Sequence, residues 1–309
     1  MDIHGQRDVT ASRGLYALLL LMGGSVLGAC VLAPPLFNGL LYLGRSIPVL
    51  DGWREVSFEA LIARLVLVLL VLGFVPALRW ARIRSLADIG LPRQSGRSGL
   101  ILRGWALGIG TAGVILVIAW MVQAYTWAPV RWSRLIPRML GYLAGGLLIG
   151  LIEEIFFRGG LFGLLRKQLP WALAAVLISI FFSAVHFLRP MHVEGVVHGH
   201  WYSGFSILPY AFYTLGERSA YFPYAFNLFL IGFVLCILYQ RQGHLFFIIG
   251  LHAGWVVVLQ AGRLLFEVNP DVDNWLFSLS GNLGRTWGAT LMLLAMCVWA
   301  WTRPSTRAD

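Results

Sequence analysis

Charge is what this sequence has least of. Of its 309 residues 12% are charged, 14 of them acidic, against 58% hydrophobic, where a soluble globular domain carries about 25% charged residues. Too few polar side chains remain to cover a water-facing surface of this size, which excludes a soluble domain and a disordered chain alike. Cysteine is scarce as well. Cys30, Cys236 and Cys297 lie in apolar stretches without CxxC spacing or an even-numbered set, so a disulfide-stapled module is excluded and the three are small core residues. Lysine occurs once, at Lys167. The net charge of +10 would point to nucleic acid in a soluble chain, but here arginines sit between apolar runs and act as topology signals, so no nucleic-acid partner is expected. Also missing are an HExxH motif, a membrane-embedded Asp and a G-x-S-x-G turn, which removes the zincin, aspartyl-dyad and serine-elbow routes to peptide hydrolysis. Ser183, three residues before His186, is assigned to packing.

What is abundant is long apolar sequence. Runs of the roughly 20 residues that a bilayer core demands fall near 14–41, 60–79, 100–123, 139–165, 171–188, 224–240, 244–263 and 285–302. They predict an all-α polytopic integral membrane protein with about eight transmembrane helices. Pro34 and Pro35 would kink the first or end it early. Counting the basic residues between spans puts 14 on one side and nine on the other, with Arg64 inside a helix, which favours both termini in the cytoplasm of a bacterial cytoplasmic membrane. The 80–99 connection, with Ile83, Leu86, Ile89 and Leu91 among arginines, has the pattern of a short amphipathic interfacial segment, and 189–223 would be extracytoplasmic. Arg13, the apolar run after it and Leu27-Gly28-Ala29-Cys30 also resemble a leader with a lipoprotein-type cleavage site, but apolar character continues to Leu43, as in a span. Small residues four apart, as in Gly104/Gly108, Gly141/Gly145 and Gly146/Gly150, predict close helix packing.

Of the acidic residues, Glu153 and Glu154 are the two that fall well inside a span. Ionisable groups at membrane depth are costly and mark function by default; a single structural ion pair would need only one of them. Glu154 and Arg158, four apart, share a helix face, whereas Glu153 is turned about 100° away and is the freer base. If helices four and five form a hairpin turning near Leu169-Pro170, Glu153 and His186 each lie 16 residues from the turn, at nearly equal depth. His252 is a further imidazole at membrane depth. Such a set can activate water for attack on an amide and stabilise the resulting oxyanion, or hold zinc through Glu153, His186 and His252 as a metalloprotease would. The residues leave the two open, and with them the cofactor: zinc or none.

Glu153-Glu154-x-x-x-Arg158, then Phe182-x-x-x-His186, then His252 after Gly-His-Leu-Phe-Phe-Ile-Ile-Gly, resembles the CPBP family of intramembrane proteases, comprising CAAX prenyl protease 2 and bacteriocin-processing (Abi) proteins, over about 139–262. The resemblance implies a catalytic core at 136–265, preceded by N-terminal transmembrane helices and an interfacial segment at 1–135 and followed by a transmembrane helix and tail at 266–309. It implies a membrane-associated peptide or protein substrate, prenylated in some relatives, with membrane lipid as the other partner. It gives water activation to Glu153 and His186, support to Glu154 and Arg158, and an oxyanion or metal role to His252. The sequence departs from the family at Val256, where His-x-x-x-Asn is common. Asn227 would replace that amide if it faced the site. The 189–223 connection is a second departure, either a gating loop or an insertion; its His192, Glu194, His198 and His200 have no recognised ligand spacing. Two rival functions are an inactive family member serving as scaffold or immunity protein, suggested by Val256, and a proton-coupled transporter.

Overall fold

The structure, a computed structural model, describes residues 3–130, 132–187, 199–210, 221–277 and 282–305. It is an all-α polytopic membrane protein, with one pair of three-residue strands among the described residues. Among the described residues six helical stretches are long and apolar enough to cross a bilayer: Leu19–Ser46, Phe58–Trp80, Arg97–Met121, Leu135–Leu165, Phe222–Gln242 and Phe246–Leu265. The other two expected spans are shorter apolar helices, Trp171–Val185 and Trp287–Thr302, of 15 and 16 residues. Contacts divide the chain into two compact units.

The first unit holds 1–84 and 184–219. Helix α1 (Ile3–Ser46) runs straight through Pro34, Pro35 and Cys30, so neither proline ends the span; lost amide bonds are tolerable where the surrounding helix ladder persists. Ala29, Ala33 and Phe37, each four apart, form the stripe that α1 buries against Phe58 and Ile62 of α2 (Phe58–Trp80). Ser57 caps α2 by accepting the Ala60 amide at 3.2 Å. The connection after α2 has the expected amphipathic pattern without a continuous helix. Arg82 adopts φ 60, and Ile83 is buried while Leu86 is 65% exposed; the alternation of burial is real but is built on turns.

The second unit holds 85–183 and 220–309. It contains α3 (Arg97–Met121), strand β1 (Tyr125–Trp127), α4 (Trp132–Glu154), α5 (Trp171–Val185) as far as Ser183, α7 (Phe222–Gln242), α8 (Phe246–Leu265), strand β2 (Phe266–Val268) and α9 (Trp287–Thr302). The label α6 belongs to the first unit's short helix Ser203–Ile207. Helix α4 does not stop at Glu154 but widens into a π-helical stretch, Ile155–Phe162, closed by one turn at Gly163–Leu165. The strands pair antiparallel, Thr126 opposite Glu267.

Helix α8 is the centre of this unit because two glycine seams let other helices touch its backbone. A Cβ on Gly104 or Gly108 of α3 would strike the Phe247 or Leu251 carbonyl, and one on Gly254 of α8 would lie 2.5 Å from the Trp105 carbonyl. On the other flank, Cβ atoms at Gly146 and Gly150 of α4 would come within 3.1 Å of the Ala253 carbonyl and 2.9 Å of the Ile249 carbonyl. In lipid, where apolar burial does not drive helix association, such close packing is what does. Gly141 and Gly145 are different: nothing lies within 4 Å of a Cβ there, so this expected seam packs against nothing.

The seam yields a paired test. Gly250→Val, whose side chain would strike the Ile101 carbonyl, should abolish monodisperse, thermally cooperative protein in detergent. Gly113→Val, in open space on α3, should leave the melting temperature nearly unchanged; equal behaviour of the two would refute the seam.

Candidate active site

The site starts with a carboxylate that cannot stay charged alone. Glu154 closes the α-helical part of α4 and is fully buried, as is Arg158 one turn later in the π-helical stretch. Arg158 Nη1 donates to Glu154 Oε1 at 2.8 Å. An unpaired charge at this depth would cost several kcal/mol, roughly the penalty for a buried ion. The guanidinium is further satisfied by the Gly232 carbonyl of α7, 3.3 Å from Nη2, and by the face of Phe182, 4.7 Å from Cζ. Gly232 sits where it does because α5 is close behind it: a Cβ there would be 3.0 Å from the backbone of Ser179. A π-helical stretch is rare and frequently functional; here it carries the arginine.

His252 arrives from α8, between Gly250 and Gly254 of the seam. Its Nδ1 lies 2.7 Å from the same Glu154 Oε1, and its Nε2 lies 3.8 Å from Glu153 Oε2. The imidazole thus stands between two unlike carboxylates. Glu154 is buried and anchored to Arg158 through Oε1, whereas the side chain of Glu153 is 27% exposed; the Oε2 atoms of both are buried and make no hydrogen bond. With the Glu154 carboxylate accepting Nδ1–H, the tautomer is fixed and Nε2 is directed toward Glu153. Phe182 packs its ring edgewise to the imidazole, centroids 6.2 Å apart.

Of the five candidate residues, the structure brings together Glu153, Glu154, Arg158 and His252. His186 lies in the turn just after α5, half-buried, within the first unit. Sequence counting linked Glu153 to His186 and gave His252 membrane depth but no partner; the direct His252–Glu154 bond rests on the glycine seams that set the register of α8 against α4. The contributions of the Gly232 carbonyl and the Phe182 ring were not foreseen. A carbonyl leaves no side-chain signal, and Phe182 had entered only as part of a spacing.

Asn227 does not replace the missing amide. Its Nδ2 donates to the Gly284 and Thr286 carbonyls, both at 3.0 Å, and its Oδ1 accepts the Thr290 hydroxyl at 2.6 Å, so it ties α7 to the start of α9. Val256 points instead to packing, its Cγ1 3.7 Å from where a Gly146 Cβ would lie. Ser183 Oγ donates to the Ala225 carbonyl at 2.8 Å, a packing role as expected. Cys30, Cys236 and Cys297 are free thiols. His192, Glu194 and His198 lie outside the described residues, and His200 stacks on Tyr202 at 5.4 Å.

Metal fit is decided by the donor set. Catalytic zinc takes three protein ligands. Glu153 Oε2 and His252 Nε2 supply two, and among the described residues no group of three His, Cys, Asp or Glu side chains is arranged to hold an ion. The donors do not fit, and no step is derived through a metal.

Compared with known proteins, residues 133–258 match the family of type II CAAX prenyl endopeptidase Rce1-like proteins. No curated protein and no solved structure matches the chain. The matched segment spans α4, α5, α7 and most of α8, and so contains every residue of the cluster.

The buried pair makes a stability prediction. Arg158→Ala, which leaves Glu154 buried without its cation, should destabilise the protein by about 3–5 kcal/mol, seen as a lowered unfolding temperature in detergent. The double variant Glu154→Leu/Arg158→Met should lose much less, and a loss as large as that of Arg158→Ala would contradict the pairing.

Proposed function

We propose, from the match of residues 133–258 to the Rce1-like family, that the chain is a CPBP-type intramembrane endopeptidase in which Glu153 and His252 share one attacking water. The match supports a CAAX-type endopeptidase acting on a membrane-associated protein. The finer reading rests on one observation: His252 is held by a buried, arginine-anchored Glu154 on one nitrogen and faces an unbonded Glu153 oxygen with the other.

A gap of 3.8 Å between Glu153 Oε2 and His252 Nε2 is too long for a hydrogen bond and leaves a water to be held from both sides, each within ordinary reach. Glu153 takes a proton from the water as its oxygen attacks the scissile carbonyl, giving a tetrahedral oxyanion and a neutral carboxylic acid. Glu153 then passes that proton to the departing amide nitrogen as the oxyanion collapses and the C–N bond breaks, leaving a carboxylic acid, an amine and Glu153 again as carboxylate. His252 in its doubly protonated form, with Nδ1–H on Glu154, donates from Nε2 to the oxyanion. Arg158 holds Glu154 in place. Low dielectric around the cluster strengthens each of these interactions. The family resemblance also gives His186 a share in activating the water. A prenylated C-terminal peptide is the first substrate to try.

The inactive-scaffold reading draws on Val256 and separates by the same assay. Full-length protein in liposomes, offered membrane-anchored peptides with and without a farnesyl group, should cleave at least one. Glu153→Ala and His252→Ala should each lower the rate about 100-fold or more, as for loss of an acid–base group, with His186→Ala also impaired. Wild-type turnover by Glu153→Ala would overturn the mechanism.

A further inference from the structure

One cation of the second unit has no carboxylate to answer it. Arg285, in the turn before α9, is half-buried; its Nε is buried without a hydrogen-bond partner, and no acidic side chain among the described residues pairs with its guanidinium. What holds it is aromatic: the guanidinium lies 4.9 Å from the Tyr221 ring and 5.1 Å from the Tyr224 ring, at the start of α7. Such contact fixes where a guanidinium stands and uses none of its N–H donors. The backbone beneath is fixed too, because Asn227 holds the carbonyls on both sides, Gly284 and Thr286, at 3.0 Å each. Two helices then relate this cation to the polar cluster. Tyr221, Tyr224, Leu228 and Gly232 recur at intervals of three and four and share one stripe of α7, and the Gly232 carbonyl is the one that receives Arg158. On α8, His252 and Leu259 lie two turns apart on one face, and a Cβ on Gly284 would be 3.7 Å from Leu259 Cδ2. From Gly232 to the two tyrosines is 8 and 11 residues, a rise of about 12–16 Å. An extended peptide, at roughly 3.3–3.6 Å per residue, covers it with about four or five residues.

We propose that Arg285 is a specificity-determining residue that receives the C-terminal carboxylate of a substrate peptide, about four or five residues beyond the bond cut at Glu153 and His252. This rests on the peptidase reading. Charge complementarity selects the group: a planar carboxylate accepts two parallel bonds from the guanidinium fork and brings the negative charge that the site lacks. Because the tyrosines already hold the fork in place, less freedom is lost on binding. A peptide that runs on past this point presents a neutral amide to the same guanidinium. Arg285 thereby separates chain ends from interior sequence and directs cleavage toward the C-terminus of a membrane-associated protein.

The experiment measures binding, in detergent, to the full-length chain carrying Glu153→Ala, whose turnover is too slow to consume the probe. The probes are fluorescent farnesylated peptides with a four-residue aliphatic tail, one a free acid and one a C-terminal amide. The acid should bind about tenfold or more tightly than the amide, the worth of hydrogen bonding to a charged group. Adding Arg285→Gln should bring that preference close to unity, and Arg285→Glu should reverse it. An amidated peptide ending in Asp should bind like the plain amide; affinity equal to that of the free acid would overturn the assignment to the chain end. Equal binding of acid and amide without a change at Arg285, as for an arginine that faces only lipid headgroups, would overturn the proposal. So would equal loss of both peptides in Arg285→Gln, the mark of a purely structural role. Cleavage by the chain with Glu153 intact is scored separately. Turnover without preference for the acid sinks the carboxylate site alone, whereas acid-selective binding with no peptide cleaved sinks the peptidase reading and leaves the carboxylate site standing.

Discussion

Everything in the second unit depends on how closely α8 can be approached. Backbone-to-backbone contact through Gly104, Gly108, Gly250 and Gly254 on one flank, and through Gly146 and Gly150 on the other, sets the height of α8 between α3 and α4. His252 sits between the two α8 glycines, so its height is set with them. A larger side chain at any of these glycines would move the imidazole away from Glu154 by more than a 2.7 Å hydrogen bond can stretch. The seam is therefore the origin of the site as well as of the fold.

The polar cluster follows from the same economy of space. A buried carboxylate in an apolar surround must be paired and hydrogen-bonded to remain charged, and Glu154 meets that condition through Arg158 and His252 together. Arg158 in turn needs the Gly232 carbonyl and the Phe182 face, which draws α5 and α7 to the cluster. Four helices thus meet at one ion pair, while Glu153, one residue earlier and turned away from Arg158, faces the other nitrogen of His252. Adjacent glutamates acquire different roles from helix geometry alone: one is structural and orienting, the other available to take a proton.

Much of this was legible in the sequence, though unevenly. Apolar runs placed all eight helices, because the length a bilayer demands leaves a long signal. The Glu154–Arg158 pair followed from spacing within one helix. Relations between helices were harder. Gly104/Gly108 and Gly146/Gly150 announced close approach but not that α8 was the common partner, and Gly141/Gly145, identical in spacing, face open space. Asn227 looked available because its partners, Gly284, Thr286 and Thr290, lie some 60 positions away on another element. Register between helices depends on side-chain volumes on both sides of each contact, which periodicity along one chain segment does not encode.

The central claim is that Glu154 and His252 act as one unit across α4 and α8. A double-mutant cycle tests it without a substrate: unfolding free energies in detergent for wild type, Glu154→Gln, His252→Gln and the double variant. A coupling of about 1–3 kcal/mol, the range for residues in direct buried contact, is the result this account requires. Additivity within about 0.5 kcal/mol, as for sites that do not touch, would contradict it.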